Sequence, residues 1–286
     1  MQLTLLGTGT PIPDPRRAGP SQLVELANDR VVVDCGTGTV RRLVEAGRRV
    51  PDLNLEFITH MHSDHSIDLG HFIITRWIQF PSKPLTIVGP LGLREYVDNL
   101  LRLLDWDINV RGFDVRLSEE ARRIDVIEVD DGWSMERDGW RAQAIKVDHY
   151  PVEHAFAFRF DADGASLVIS GDTAPYEPLA KAAAGVDVLV HEAWLKPQHE
   201  AARGHMPAAE AEEFIRKRNR YHTDSHQVGK IAALADPKLL VLSHLGPIDT
   251  ELMAEHVAAD FSRFVVGADL QAFDVGKGKR LGPYAA

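Results

Sequence analysis

The six residues at positions 60–65, HMHSDH, place four potential metal ligands close together directly after an apolar run at 57–59. In an extended segment, side chains two positions apart point the same way, so His60 and His62 can converge on one ion. Asp64 and His65 begin the next turn and can reach a neighbouring ion. Imidazole and carboxylate suit zinc, and a site without cysteine ligands leaves room for water. The spacing therefore predicts a catalytic metal centre.

The string matches the HxHxDH signature of the metallo-β-lactamase superfamily. Other motifs, before and after it, occur in the order typical of the ribonuclease Z and arylsulfatase-like branch. The chain resembles that branch in a Gly-rich first turn, a D-x-G-x-G turn, a GP-x-G turn, a GDT motif and an HEA motif, at residues 5–11, 33–39, 88–92, 170–173 and 189–193. The resemblance covers nearly the whole chain. It implies a four-layer αββα sandwich, and the alternation of strand-like and helix-like segments also favours an α/β layered fold.

The segments along the chain predict how this fold is built. We expect one domain over residues 1–286, made of two similar halves at about 1–90 and 140–286, with a helical excursion at about 91–133. Amphipathic segments predict helices at 92–104, 176–184, 207–218, 225–234 and 250–261. Asp163-Gly164 between two strand-like runs predicts a hairpin, because this dipeptide supports the positive φ values of such turns.

The resemblance extends the metal-binding set beyond the string. It implies that Asp172, in the GDT motif, bridges two ions and that His244 is the last ligand. The third ligand of the first ion is open between His149 and His154, and we favour His149 because it directly follows a strand ending at Val147. The implied set is His60, His62 and His149 on one ion and Asp64, His65 and His244 on the other, with Asp172 between them.

Such a centre predicts hydrolysis. Two ions roughly 3.5–4 Å apart can share a hydroxide, and a metal lowers the pKa of its bound water towards neutrality. Zinc is the expected ion, with manganese or iron as alternatives at an all-nitrogen-and-oxygen site. We expect Asp64 to serve catalysis as well as metal binding. The resemblance also implies a proton-donating pair, His222 of an HT motif with Glu192 of the HEA motif, and His205 is a rival for His222.

Composition limits the cellular compartment and the partners that we expect for this chain. The single cysteine, Cys35, excludes a disulfide framework and favours a reducing compartment, and we expect it to be a small buried residue. No apolar run is long enough to span a bilayer, so we expect a cytoplasmic protein with no membrane partner. Lys plus Arg is 32 and Asp plus Glu is 42, a net charge of −10, which does not favour nucleic acid.

The substrate is the least determined property. Ribonuclease Z enzymes that process tRNA carry a flexible arm before the GDT motif, and here residues 159–166 form only a predicted hairpin, so a tRNA partner is disfavoured. We expect a small anionic ester as substrate, a phosphodiester or an aryl sulfate. The alternatives are a lactone, lactam or thioester hydrolase, a ribonuclease Z-like nuclease, and a non-catalytic metal-binding scaffold. A homodimer is compatible with the sequence.

Overall fold

The computed structural model describes residues 1–112, 118–195 and 207–282. Its strands are β1 (Gln2–Gly7), β2 (Ser21–Leu26), β3 (Asp29–Val33), β4 (Leu55–Phe57), β5 (Leu85–Pro90), β6 (Ile124–Val129), β7 (Ser134–Arg137), β8 (Trp140–Lys146), β9 (Phe156–Ala162), β10 (Ala165–Ile169), β11 (Val188–Glu192), β12 (Leu239–Ser243), β13 (Phe264–Val266), β14 (Ala272–Asp274) and β15 (Lys279–Arg280).

The α-helices in the described ranges are α1 (Thr39–Glu45), α2 (Ser63–Ser66), α3 (Leu69–Ile78), α4 (Leu93–Leu103), α5 (Asp105–Gly112), α6 (Glu119–Arg122), α7 (Glu177–Ala182), α8 (Ala208–Arg218), α9 (Ser225–Ala235) and α10 (Thr250–Ala258). Within the same described ranges, one 3₁₀ turn, Val50–Asp52, precedes β4. Among these residues no helix is long and apolar enough to cross a bilayer.

Two mixed sheets form the centre of the molecule. One has the strand order β15-β14-β1-β2-β3-β4-β5-β6 and the other the order β13-β12-β11-β10-β9-β8-β7. Alternate residues of facing strands meet between the sheets, where the rings of Phe57 and Phe158 make an edge contact with centroids 5.1 Å apart. The opposite faces pack against α1, α3 and α4 on one side and α7, α9 and α10 on the other. The αββα sandwich is therefore confirmed.

The parallel strands determine where polar loops collect. β3, β4, β5 and β6 run parallel in the first sheet, and β10, β11, β12 and β13 run parallel in the second. Ligands in open α/β sheets bind beyond the carboxyl ends of such strands. The HxHxDH string follows β4, the GDT motif follows β10, and His244 follows β12, so all three lie at strand ends of this kind.

The predicted hairpin is confirmed. Asp163 and Gly164 have φ values of 52° and 72°, and they join β9 to β10 with Ala162 paired to Ala165. The interval before the GDT motif therefore contains a two-residue turn.

The strands at the ends of the first sheet differ from expectation. The segment at 91–133 contains α4, α5 and α6 as well as β6, which the sequence analysis omitted, and β14 and β15 return to the first sheet beside β1. Pairing of Leu3 with Phe273 covers the edge of β1, which would otherwise expose unpaired backbone groups. The two sheets consequently do not coincide with the predicted halves, and the division into halves stays a prediction.

Candidate metal centre

Asp34 at the end of β3 organises the loop that carries the HxHxDH string. Its carboxylate accepts hydrogen bonds from the backbone N–H of Thr59 at 2.8 Å and from the Thr59 hydroxyl at 2.9 Å. It also pairs with Nδ1 of His65 at 2.7 Å, which leaves Nε2 of that ring available as a ligand atom. Asp34 was not predicted from sequence as a site residue, although the D-x-G-x-G turn that contains it was the available signal.

The first ligand cluster joins the HxHxDH string to the second sheet. Nε2 of His60 lies 3.0 Å from Nδ1 of His62, and Nε2 of His149 lies 3.1 Å from the same Nδ1. His149 donates its Nδ1–H to the carbonyl of Tyr221 at 2.7 Å, so its Nε2 carries the lone pair. The structure brings His149, and not His154, into this cluster. His154 is partly exposed and belongs to no candidate metal cluster in the described ranges.

The second cluster consists of Asp64, His65 and His244. Nε2 of His244 lies 3.2 Å from a carboxylate oxygen of Asp64. His244 has a φ of 55°, so the chain turns sharply at the end of β12 and presents this ring to the string after β4.

Asp172 lies between the two clusters. Its Oδ2 is 3.8 Å from Nε2 of His60 and 3.4 Å from Nε2 of His244, and its Oδ1 is 3.4 Å from Nε2 of His65. Burial alone would favour its neutral acid, but the nearby His244 and His65 rings hold the pKa of Asp172 well below its usual value. An ionised carboxylate thus faces both groups of imidazoles.

The donor set fits divalent cations. Nε2 of His65 and Oδ1 of Asp172 are buried and have no hydrogen-bond partner among the described residues. Buried polar atoms are seldom left in this state, and a cation would satisfy both. Cys35 is not part of the set, because it is buried in the core between the first sheet and its helices, and burial raises the pKa of its thiol.

The protonation of the metal-free ligands differs between the clusters. Burial lowers the pKa of His60 well below its ordinary value and that of His149 to about 4, so these rings are neutral and ready to coordinate. Burial acts the same way on His65 and His244, yet nearby carboxylates together outweigh it, and the pKa of both rings is raised. Asp172 acts on both rings, with Asp34 adding to its effect at His65 and Asp64 at His244. Metal binding at the second cluster must therefore displace protons.

His222 and Glu192 form a buried pair beside the clusters. Nδ1 of His222 lies 2.9 Å from each Glu192 carboxylate oxygen, and the Glu192 carboxylate also accepts the backbone N–H of Thr173 at 2.6 Å. Burial raises the pKa of Glu192 well above its usual value and lowers that of His222 to about 3. The pair can then hold one mobile proton, and wherever that proton sits along the Nδ1–carboxylate contact, Nε2 of His222 bears an N–H. The rival His205 lies outside the described residues.

An open cleft of about 260 Å³ gives access to these groups. It is lined by Pro11, His62, Ser63, Asp64, Asp172, Arg218, His222 and His244. Arg218 was not identified from the sequence, because no motif marks it and only the folded chain brings it to the cleft.

Comparison with known proteins identifies relatives over nearly the full length. Residues 1–210 match the family model described as Anti-Pycsar protein Apyc1. The chain is 35% identical over 283 residues to "Ribonuclease Z" of Mycobacterium bovis BCG, covering 96% of this chain and 98% of the relative. It is 38% identical over 250 residues to "Ribonuclease Z" of Mycolicibacterium gilvum, covering 86% and 85% of the two chains.

Solved structures share the fold. The metallo-β-lactamase-fold protein YhfI of Bacillus subtilis superposes with a TM-score of 0.70 at 17% identity, covering 96% of this chain and 99% of that one. The short form of human tRNase Z superposes with a TM-score of 0.69 at 21% identity, again covering 96% and 99%. At these identities the structures establish the αββα architecture alone.

The contrast between the two neighbouring histidines yields a first prediction. Replacing His149 by Ala removes a ligand atom from the first cluster, so metal content should fall by about one ion per chain after loading with zinc and desalting. His154→Ala is the matched control and should retain the wild-type content. Elemental analysis measures both proteins, and equal metal content in the two variants would remove His149 from the ligand set.

His191, the first residue of the HEA motif, gives a second prediction on stability. Its ring is fully buried and its pKa is lowered to about 4 by burial, from an unfolded value of 6.5. Below pH 6.5 the unfolded chain binds a proton that the folded chain does not bind until about pH 4, so stability is lost as pH falls. Between pH 7 and pH 5 the metal-free wild type should lose about 2 kcal/mol more than His191→Gln.

Urea unfolding in the presence of a chelator at both pH values measures this difference. The comparison of two proteins cancels the contributions of the other histidines, which both chains share. An identical loss in wild type and variant would show that His191 is not held neutral by burial.

Proposed function

The chain belongs to the Anti-Pycsar protein Apyc1 family and to the ribonuclease Z branch of the metallo-β-lactamase superfamily, and from this premise we propose that it cleaves phosphodiester bonds at a centre of two divalent ions. It is a metal-dependent hydrolase acting on phosphoester bonds. The observation that supports a two-ion centre is the position of Asp172, within 4 Å of histidines from both ligand clusters.

The proposed ligands are those brought together around Asp172. One ion would be held by His60, His62 and His149, the other by Asp64, His65 and His244, with Asp172 close to both groups. Divalent cations bound there, which we propose to be zinc, would supply Lewis acidity and would lower the pKa of a coordinated water. The chain itself supplies orientation: Asp34 and the Tyr221 carbonyl each hold a ligand ring by its second nitrogen.

We assign proton delivery to His222 and Glu192. Cleavage of a phosphodiester leaves an alkoxide-like oxygen that must gain a proton. Nε2 of His222 gives its proton to that oxygen, and the proton between Nδ1 and Glu192 settles on Nδ1, so the pair ends as a neutral imidazole hydrogen-bonded to a carboxylate. Thr173 supports the pair by donating its backbone N–H to Glu192. The pair therefore works as one unit with one proton to give.

The first substrate class we propose is an RNA phosphodiester of the type cleaved at a tRNA 3′ end. The two mycobacterial relatives compared above carry the name Ribonuclease Z, and a fold neighbour is a tRNase Z. These names favour the nuclease alternative over the small phosphodiester or aryl sulfate that we expected from sequence, and they conflict with the expectation that a tRNA substrate is disfavoured.

A second substrate class, a small phosphodiester, is favoured by the surface of the chain. The turn between β9 and β10 is two residues long at the place where a tRNA-gripping arm is expected, and the net charge is −10. Neither feature provides the positively charged surface that binds the phosphates of a polynucleotide.

Cleavage assays on the zinc-loaded protein separate these classes. A tRNA precursor with a 3′ trailer and bis-p-nitrophenyl phosphate are offered to the same preparation over a range of salt concentrations. A ribonuclease should cleave the precursor at one site, at rates that fall steeply with salt concentration. An enzyme for small diesters should cleave only bis-p-nitrophenyl phosphate, with little salt dependence. Failure to cleave either substrate would overturn the proposed function.

The proton-donating role has its own test. His222→Ala should lower kcat on the cleaved substrate by about 100-fold or more while metal content stays near that of wild type. The control is His226→Ala, an exposed histidine on the following helix, which should keep wild-type kcat. A His222→Ala enzyme with wild-type kcat would show that the leaving oxygen gets its proton elsewhere.

A further inference from the structure

Arg218 is the last residue of α8 and stands one helical turn before His222. The backbone N–H of His222 is bonded to the Arg218 carbonyl at 3.0 Å, so the two side chains emerge on the same side of the chain. Both line the cleft over the ligand clusters. The other charged or titratable side chains that line the cleft are carboxylates and histidines. Among the described residues of the lining, Arg218 therefore carries the permanent positive charge.

Two aromatic rings hold the guanidinium. Its central carbon lies 6.0 Å from the ring centre of Trp194 and 5.9 Å from that of Phe214. Contacts of this kind use the face of the guanidinium and leave its edge N–H groups free to bind an anion. The Nε atom is buried and has no hydrogen-bond partner in the described part of the chain. By contrast, Arg216, two residues earlier, is paired with Glu213 at 2.7 Å on the exposed side of α8.

The positive charge of Arg218 acts on the proton-donating pair, His222 and Glu192. Burial is the main reason for the lowered pKa of His222, and the Arg218 guanidinium contributes in the same direction. A fixed cation close to the proton donor is therefore also close to the position where the substrate must lie.

We propose that Arg218 binds a negatively charged, non-bridging oxygen of the scissile phosphate and thereby selects anionic phosphodiesters over neutral esters. The inference rests on the proposed function, since it assumes that the cleft receives a phosphodiester. Arginine suits this role because its planar N–H edge matches two phosphate oxygens, which a lysine ammonium does not.

Substrate selectivity tests the proposal. The zinc-loaded wild type, Arg218→Gln, Arg218→Lys and Arg216→Gln proteins are compared on bis-p-nitrophenyl phosphate, an anionic diester, and diethyl p-nitrophenyl phosphate, a neutral triester with the same leaving group. In Arg218→Gln the ratio of kcat/KM for the diester to that for the triester should fall by about 10- to 100-fold. Arg218→Lys should restore part of it, and Arg216→Gln should match wild type.

A binding measurement makes the test independent of turnover. Calorimetric titration of the zinc-loaded proteins with inorganic phosphate should give an affinity about 10-fold weaker in Arg218→Gln than in wild type and Arg216→Gln. If no protein cleaves a diester but this difference persists, the proposed function fails and the anion-binding role of Arg218 stands. Unchanged selectivity together with unchanged phosphate affinity in a folded Arg218→Gln protein would overturn the inference.

Discussion

The position of one buried carboxylate, Asp172, sets the geometry on which the site depends. It follows Gly171, whose φ is 60° and where an added Cβ would come within 2.9 Å of the Thr59 Cβ and 3.0 Å of the Phe156 carbonyl. Glycine therefore lets the turn after β10 press against the turn after β4. This close approach joins the carboxyl ends of the two sheets, and it places ligands from separate parts of the sequence around a single carboxylate.

The polar groups around Asp172 are costly to bury unless something satisfies them. Three histidine rings of the first cluster approach one another with ring nitrogens about 3 Å apart, and atoms of His65 and Asp172 are left without partners. A large apolar framework holds this arrangement in place. It consists of one core between the sheets and one core beneath each helical layer. Divalent cations would turn that electrostatic cost into binding energy, and the same rigid framework would orient His222 and Glu192 for proton transfer.

The parts that could be predicted from sequence are those with a local signature. The HxHxDH string, the Asp163-Gly164 hairpin and the alternation of strands and helices each depend on neighbouring residues, and the αββα architecture follows from them with the family resemblance. His149 was preferred over His154 by its place after a strand, and the structure puts it in the first cluster.

The parts that were missed depend on contacts between distant segments. Asp34 acts on residues 25 and 31 positions away, β14 and β15 pair with a strand at the other end of the chain, and Arg218 reaches the cleft only when α8 packs beside it. The strand β6 was hidden by the charged residues around it, because an edge strand needs fewer apolar side chains than a central one. The substrate was not predictable either, since the same metal ligands serve many esters.

The most direct measurement is a calorimetric zinc titration of the metal-free protein beside its Asp172→Asn variant, with Asp163→Asn in the exposed hairpin as control. If Asp172 joins two sites, wild type and Asp163→Asn should bind two ions per chain with high affinity, and Asp172→Asn should bind both more weakly by about 10-fold or more. Tight binding of two ions in Asp172→Asn, or of a single ion in wild type, would contradict a centre built on this shared carboxylate.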